Sequence, residues 1–244
     1  MPIRLPITIE IARALYEKSG GGDRSGGHRS GGHDFDHVLR VTALAERIGR
    51  AEGADLAIIR TAALLHDVGE SGDRENHHLA GAAMARELLR DELPAFVAAV
   101  AHAIEAHRFR ADPAPRTLEA QILSDADKLD AIGAIGVARV FAYAGARGTP
   151  LWRGPWREIA RSAGPSTNLL MDSGRGSGQA SEPDDANDAP KRLGGNYTPV
   201  HEFVYKLDRI PERLYTATAR ASAIERLAFM RAFFDRLDEE MTGQ

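Results

Sequence analysis

Histidine and aspartate occupy helical positions at which the surrounding pattern would otherwise put apolar side chains. His37, His66 and Asp127 each lie on the apolar face of a helical segment, and the three segments are well separated along the chain. The apolar residues four positions away on these faces are Val41, Ala62 and Leu123. Burying imidazoles and carboxylates costs free energy unless they share a partner. The pattern therefore predicts a fold that gathers the three segments around a common cation.

The chain reads as helical over almost all of residues 34–148, and no alternating strand pattern of convincing length appears. Val38, Val41, Ala45 and Ile48 share one face of the first helix of this region. Further helices are expected over about residues 54–66, 78–92, 94–107, 117–144, 202–207 and 211–241. We expect an all-α protein, a single helical bundle with a long loop insertion.

Two segments of low complexity divide the chain. Residues 19–32 are rich in Gly, Ser and Arg, and residues 164–195 combine Gly, Ser, Asp, Pro and Asn with almost no apolar periodicity. Trp152 and Trp156 are expected to anchor the second segment by packing. We expect an N-terminal helix and flexible segment at 1–32, a core at 33–150, a flexible insertion or lid at 151–200, and C-terminal helices that pack on the core at 201–244.

The composition excludes several classes of protein. The 244 residues carry a formal net charge of −4, which gives no electrostatic footprint for a nucleic-acid polymer or an anionic membrane. Cysteine is absent, so disulfides, thiolate catalysis and cysteine-ligated zinc are excluded. The sequence contains no apolar run near the length of a membrane span, and its short, proline-interrupted N-terminal stretch is not expected to be a signal peptide. We therefore expect a cytoplasmic protein with a small-molecule partner.

The predicted donor atoms suit a borderline-to-hard divalent ion. Asp67 directly follows His66, so the set offers two imidazoles and two carboxylates. Mn²⁺ is the expected ion, and Mg²⁺, Co²⁺, Ni²⁺ or Fe²⁺ would also suit this set in six-coordinate geometry, whereas tetrahedral Zn²⁺ fits less well. Coordination positions open to water and to a substrate oxygen point to hydrolysis of a phosphorylated small molecule.

The order His37, His66-Asp67, Asp127 resembles the H…HD…D signature of the HD-domain superfamily of metal-dependent phosphohydrolases. The resemblance extends to the stretches HDFDHVLRV, AHAIEAH and DADKLDAIGAIGVAR, which are similar to the bacterial YedJ/YpgQ branch. It covers about residues 33–150 and, more weakly, 201–240. The resemblance implies an all-helical HD-domain fold, a divalent ion held by His37, His66, Asp67 and Asp127, and hydrolysis of a phosphate ester or anhydride. The substrate it favours is a nucleoside triphosphate cut to monophosphate and pyrophosphate.

Residues near these motifs are candidates for catalysis and substrate binding. Glu70 lies three residues after Asp67, an offset at which some superfamily members have a proton-transferring glutamate. We therefore assign candidate catalytic roles to Asp67 and Glu70, with a solvated glutamate as the alternative for Glu70. The candidate substrate-binding residues are Lys128, Arg40, His33, His102, His107 and Asp130. For Asp130, a hydrogen bond to a metal ligand is the alternative.

The same residues leave other functions open. Dinuclear members of the superfamily bind a second metal through histidines, and the corresponding regions of this chain contain His77, His78, His102 and His107. A second metal would allow a cyclic-dinucleotide phosphodiesterase or a di-iron oxygenase, although RFR follows His107 in place of the phosphodiesterase Gly-Tyr-Pro. A metal-dependent nucleotide-binding module without turnover is a further alternative. The sequence leaves the oligomeric state open, a homodimer being one option.

Overall fold

The computed structural model describes residues 6–19, 35–69, 76–108, 113–162 and 193–244. Within these ranges all regular secondary structure is helical and no strand is present, which confirms the predicted all-α fold. The α-helices are α1 (Ile9–Ser19), α2 (Phe35–Glu52), α3 (Leu56–Leu65), α4 (His77–Leu88), α5 (Pro94–Glu105), α6 (Leu118–Asp130), α7 (Ala134–Arg147), α8 (Trp156–Ser162), α9 (Pro199–Tyr205) and α10 (Ala217–Thr242). Short 3-10 helices cover Gly194–Asn196 and Leu207–Arg213.

Helices α2 to α6 form the centre of the bundle. α2 packs against α3 and α6, and α5 packs against α3, α4 and α6. The predicted apolar face of α2 is buried, since Val38, Val41, Ala45 and Ile48 are each at most 1% exposed. Burying a Val or Ile side chain is worth about 1.5 to 3 kcal/mol, so this face fixes which side of α2 meets α3 and α6. His37 lies on the same side and is carried into the interior with it.

The prediction of a single helix over residues 117–144 is wrong. α6 ends at Asp130, α7 begins at Ala134, and the two helices are bent by 62° relative to each other. Gly133 has a φ of +84°, which glycine adopts without strain, and a Cβ there would lie 3.2 Å from Arg226 Cγ. The apolar pattern continues through this break, so the periodicity did not reveal it.

Other predicted helix boundaries also differ from the structure. The helix expected over residues 211–241 begins at Ala217, because Pro211 lies in a 3-10 helix and the Thr216 hydroxyl caps α10 by accepting from Ala219 N. The helix expected at 202–207 is Pro199–Tyr205, and that expected over 78–92 ends at Leu88. Such shifts reflect caps and turns that depend on tertiary contacts.

Asp125 ties the C-terminal helix to the centre of the bundle. Its carboxylate is fully buried in α6 and accepts hydrogen bonds from Tyr215 N (2.9 Å), Thr216 N (2.8 Å) and Thr216 Oγ1 (2.8 Å). Burial raises the pKa of Asp125, and these three donors oppose that effect. The start of α10 is therefore held by a side chain only two residues from Asp127.

We expect Asp125→Ala to lower the free energy of unfolding by about 3 kcal/mol, because it leaves buried donors without an acceptor. Equilibrium urea unfolding measures this change. The control is Asp55→Ala, which removes an exposed cap that accepts from Ala57 N and Ile58 N and should cost about 1 kcal/mol. Equal losses in the two variants would show that Asp125 does not anchor α10.

The two tryptophans attach the segment after α7 to α10, whereas the low-complexity segment that we expected them to anchor lies almost wholly outside the described residues. Trp152 Nε1 donates to Asp238 over 2.7 Å, and Trp156 Nε1 donates to Asp235 over 2.8 Å, both on α10. The Trp156 ring also packs edge-on against Phe203, with centroids 5.4 Å apart. Most of the predicted insertion, residues 163–192, lies outside the described residues. In the described part of the chain no single helix could span a membrane by length and hydropathy, and the bent pair α6 and α7 passes only when the two are taken together.

Candidate metal centre

Three segments of the bundle carry the predicted ligands to one point. His37 lies in the first turn of α2, His66 and Asp67 lie in the turn that follows α3, and Asp127 lies in α6. Because α2 packs on both α3 and α6, the inward side chains of these segments meet. Gly69 allows the turn after α3 to lie against α4, since a Cβ there would be 2.5 Å from the Gly81 backbone nitrogen.

His37, His66, Asp67 and Asp127 form a compact set of donor atoms, here called the first group. His37 Nε2 lies 3.3 Å from His66 Nε2 and 3.3 Å from Asp127 Oδ1. Asp67 Oδ2 lies 3.4 Å from His66 Nε2 and 3.7 Å from His37 Nε2. Both imidazoles are fully buried, whereas the Asp127 side chain is 28% exposed. The first group therefore has a closed side of nitrogen atoms and an open side at Asp127.

The second ring nitrogen of each histidine is already used as a donor. His37 Nδ1 donates to Asp130 Oδ2 over 2.8 Å, and His66 Nδ1 donates to the Ala63 carbonyl over 2.8 Å. When these imidazoles are neutral, each Nε2 is left with a lone pair. The two Nε2 atoms are 3.3 Å apart, so their lone pairs repel each other unless a proton or a cation lies between them. Metal-binding histidines show this same pattern, because an outer hydrogen bond fixes the ligating nitrogen.

Asp67 also belongs to a second group, made of Asp67, His77 and His107. Asp67 Oδ1 lies 3.4 Å from His77 Nε2 and 3.6 Å from His107 Nε2, while Oδ2 faces His37 and His66. His107 is 2% exposed, and its Nδ1 donates to the Ile104 carbonyl over 2.6 Å. Each group thus receives one oxygen of Asp67, as expected for a carboxylate that bridges two cations.

The pKa values in the first group reflect an excess of negative charge. Burial favours neutral His37, but hydrogen bonds with Asp127 and Asp130 outweigh it and raise the pKa of His37 to about 10. Burial likewise opposes charge on His66, yet Asp67 raises its pKa. For Asp127, burial raises the pKa and His37 lowers it, with a net lowering. The metal-free protein therefore holds protons where a divalent ion would supply positive charge.

We expect Mn²⁺ to bind more tightly as the pH rises from 6.5 to 8.5. The folded-state pKa of His37 is raised to about 10, so its charged form stabilises the metal-free fold fully below about pH 6.5 and loses that effect as the pH rises through 10. A cation must displace this proton, so affinity should rise up to about tenfold per pH unit for each proton released. Calorimetric titration at several pH values measures this change. An affinity that stays constant over this range would contradict the assignment of His37 as a ligand.

A divalent ion fits the donor atoms of the first group. Two ligand atoms about 2.1 Å from one ion lie about 3.0 to 3.4 Å apart for octahedral or tetrahedral angles. The donor atoms of His37 lie 3.3 to 3.7 Å from those of His66, Asp67 and Asp127, and those of His66 and Asp67 are 3.4 Å apart, so a small inward movement brings these pairs into range. Imidazoles and carboxylates without thiolate suit Mn²⁺, Fe²⁺, Co²⁺ and Ni²⁺.

Asp130 is placed to orient His37. Its carboxylate is 1% exposed and accepts from His37 Nδ1, from Arg40 Nε over 2.8 Å and from Arg40 Nη2 over 3.0 Å, while Arg139 Nη1 lies 3.6 Å away. Burial raises the pKa of Asp130, but His37 and Arg40 lower it to about 2. Of the two roles predicted for Asp130, its position matches the hydrogen bond to a metal ligand. The side chain of Arg40, which was predicted to bind substrate, is 32% exposed and donates its hydrogen bonds to the Asp130 carboxylate.

Of the other predicted substrate-binding residues, His107 lies in the second group, whereas Lys128 and His102 make hydrogen bonds outside both groups. Lys128 is 7% exposed, and its Nζ donates to the Ser124 carbonyl over 3.1 Å. His102 Nε2 accepts a hydrogen bond from Arg116 N over 3.1 Å, and His102 belongs to neither group. Two predicted residues, His33 and Glu70, lie outside the described residues.

Two residues near the centre were not among the predicted site residues. His77 was considered only as one of several histidines for a second metal, and its position beside Asp67 depends on how α4 packs. No sequence pattern marked Tyr16 as a site residue, because it lies in α1, which precedes the helices that bear the motifs. Its hydroxyl accepts from Asp67 N over 3.1 Å, and its ring packs edge-on against Phe35 at 5.6 Å.

Comparison with known families matches residues 34–132 to the HD domain. The matched range contains every member of both groups. Residues 34–132 form an HD domain. The HD domain thus carries the whole candidate metal centre, whereas Tyr16 and the helices after α6 lie outside it.

Individual proteins that are similar to this chain extend the comparison. YpgQ of Bacillus subtilis is 29% identical over 215 residues, which are 86% of this chain and 85% of YpgQ. The crystal structure of YpgQ in complex with ADP has a TM-score of 0.62 and 27% identity, covering 95% of this chain and 94% of YpgQ. An HD-superfamily hydrolase from Bacillus thuringiensis has a TM-score of 0.63 and 25% identity, covering 97% of both chains. Ribonuclease Y of Chloroflexus aurantiacus is 41% identical over 96 residues, 38% of this chain but only 17% of that protein.

Proposed function

We propose that this protein is a metal-dependent phosphohydrolase acting on a nucleotide or a related phosphorylated small molecule. The observation that carries the proposal is the convergence of His37 Nε2, His66 Nε2 and the carboxylates of Asp67 and Asp127. Outer hydrogen bonds fix both imidazoles with Nε2 as the ligating atom. The similarity to an HD-superfamily hydrolase supports the same class of reaction.

When bound by these four residues, a divalent ion supplies an acidified water molecule and polarises a phosphoryl oxygen. His37 and His66 are fully buried, so their role is to bind and not to contact substrate. Asp127 is the ligand on the open side, where the substrate approaches. Glu70 is our candidate for the group that takes a proton from the attacking water and returns it to the leaving group.

For the substrate, we propose a nucleoside triphosphate that is cleaved to the monophosphate and pyrophosphate. The crystal structure of the relative YpgQ contains ADP, which supports a nucleotide as the ligand. The partly exposed guanidinium groups of Arg40 and Arg139, which lie beside Asp130, are our candidates for binding the phosphates of such a substrate. Mn²⁺ is the ion we propose.

The second group supports a second cation held by Asp67, His77 and His107. Two cations held by a shared carboxylate would together stabilise the attacking and the leaving oxygen in hydrolysis. The same pair of sites also suits a cyclic-dinucleotide phosphodiesterase or a di-iron oxygenase. These alternatives share the ligands and differ in their products, so the assay must separate them.

The test is a panel of nucleoside tri-, di- and monophosphates and cyclic dinucleotides, incubated with metal-free protein plus Mn²⁺, Mg²⁺, Co²⁺ or Ni²⁺. Phosphorus NMR identifies the products. We expect equal amounts of monophosphate and pyrophosphate from a triphosphate. His66→Ala should abolish this reaction, while the matched variant His102→Ala should retain it, because His102 lies in neither group.

Each alternative function has its own result in the same experiment. Cleavage of a cyclic dinucleotide alone would favour the phosphodiesterase, and oxygen consumption with Fe²⁺ would favour the oxygenase. Saturable nucleotide binding without products would favour the binding module. Activity that survives His66→Ala would overturn the proposed function.

A further inference from the structure

His107 lies two residues after α5 ends at Glu105, so its backbone carbonyl is outside the helical hydrogen-bond ladder. Ser124 Oγ of α6 donates to this carbonyl over 3.0 Å. Ser124 is 1% exposed and His107 is 2% exposed, so the hydrogen bond is shielded from water. The bond joins α6 to the chain that presents His107 Nε2 to Asp67.

Lys128 fixes the direction of this hydrogen bond. Its Nζ donates to Ser124 Oγ and to the Ser124 carbonyl. An ammonium group has three donors and no acceptor, so Ser124 Oγ must act as the acceptor toward Lys128. The single hydroxyl proton of Ser124 then points to His107. The centroid of the Tyr215 ring also lies 5.7 Å from Nζ.

We propose that Ser124 and Lys128 are positioning residues for the second cation, acting through His107. This inference rests on the proposed function, because it assigns the residues that hold the second group in place. It also gives Lys128 a role other than the phosphate contact expected from the sequence. The hydrogen-bond chain from Lys128 through Ser124 ends at His107, which belongs to the second group alone. Its loss should therefore affect the two cations unequally.

The experiment is calorimetric titration of the metal-free full chain with Mn²⁺. The wild type should show two binding events. Ser124→Ala should weaken the second event by about 10-fold, the lower end of the effect of removing a hydrogen bond to a ligating ring, because Ser124 bonds to the His107 backbone; the first event should stay within about twofold. Lys128→Met keeps the Ser124 hydroxyl and should give a smaller weakening of the second event. Ser124→Thr, which retains the hydroxyl, should show the second binding event with an affinity close to that of the wild type.

The matched control is Thr42→Val, which removes another buried hydroxyl that donates to a helix carbonyl, Val38 O at 2.7 Å. Both binding events should survive in this variant. Two unchanged events in Ser124→Ala, or equal weakening of both in Ser124→Ala and Lys128→Met, would overturn the positioning role. A wild type that binds no Mn²⁺ would instead overturn the proposed function itself.

Discussion

We expect Asp67→Asn to lose both cations and to lower kcat/KM for the preferred nucleotide by about a thousandfold. Asparagine has nearly the same shape, but it presents one neutral oxygen and one NH₂ group where the carboxylate presents an oxygen to each group. A bound cation contributes several kcal/mol of transition-state stabilisation, and about 4 kcal/mol corresponds to about a thousandfold in rate. Asp67 is the one described residue of the two groups with an oxygen facing each of them, so its effect should exceed that of His77→Ala.

Steady-state kinetics with saturating Mn²⁺ and metal analysis after gel filtration measure the two effects together. The control is Asp208→Asn, which makes the same chemical change at an ion pair with Arg231 that belongs to neither group. It should bind metal and turn over substrate as the wild type does. If Asp67→Asn kept a tenth or more of the wild-type activity, Asp67 would not be a bridging ligand.

We expect Asp130→Ala to lower both the free energy of unfolding of the metal-free protein and its affinity for the first cation. This change removes a buried carboxylate and leaves His37 and the Arg40 guanidinium without their shared acceptor. Breaking a buried pair in this way costs about 3 to 5 kcal/mol of unfolding free energy. Because His37 also loses the bond that fixes its tautomer, the affinity for the first cation should fall by about 10- to 100-fold.

Urea unfolding and Mn²⁺ titration measure these two losses separately. Asp208→Ala is the comparison, since it removes an ion pair at the surface and should cost at most about 1 kcal/mol. The pKa of Asp130, lowered to about 2, adds a pH signature. Its stabilising effect is present above about pH 4 and is lost as the pH falls toward 2. Stability equal to that of Asp208→Ala would show that Asp130 does not support His37.

Helical periodicity was sufficient to predict the centre of the bundle. The apolar face of α2 determined which side of the helix turns inward, and His37 followed because it shares that face. The break between α6 and α7 was not predicted, since it depends on the positive φ of Gly133 and on Arg226 from a distant helix. Periodicity reports the burial of a helix face, whereas a local bend is decided by contacts between helices.

The candidate site was predicted from its motifs only in part. Spacing and residue type indicated His37, His66, Asp67 and Asp127, and the structure brings their donor atoms together. The second group was not foreseen as a unit, because it requires the two oxygens of Asp67 to face opposite partners. Such a division of one carboxylate follows from the packing of α4 and α5 beside the turn after α3, and no local pattern encodes it.

The most direct test of the central claim is a crystal structure of the protein grown with Mn²⁺, with anomalous scattering used to locate the ions. We predict one strong peak about 2.0 to 2.3 Å from His37 Nε2, His66 Nε2 and the carboxylates of Asp67 and Asp127. A second peak is expected between Asp67, His77 and His107. Mn²⁺ found only on surface carboxylates, with no peak among the four residues of the first group, would contradict the account.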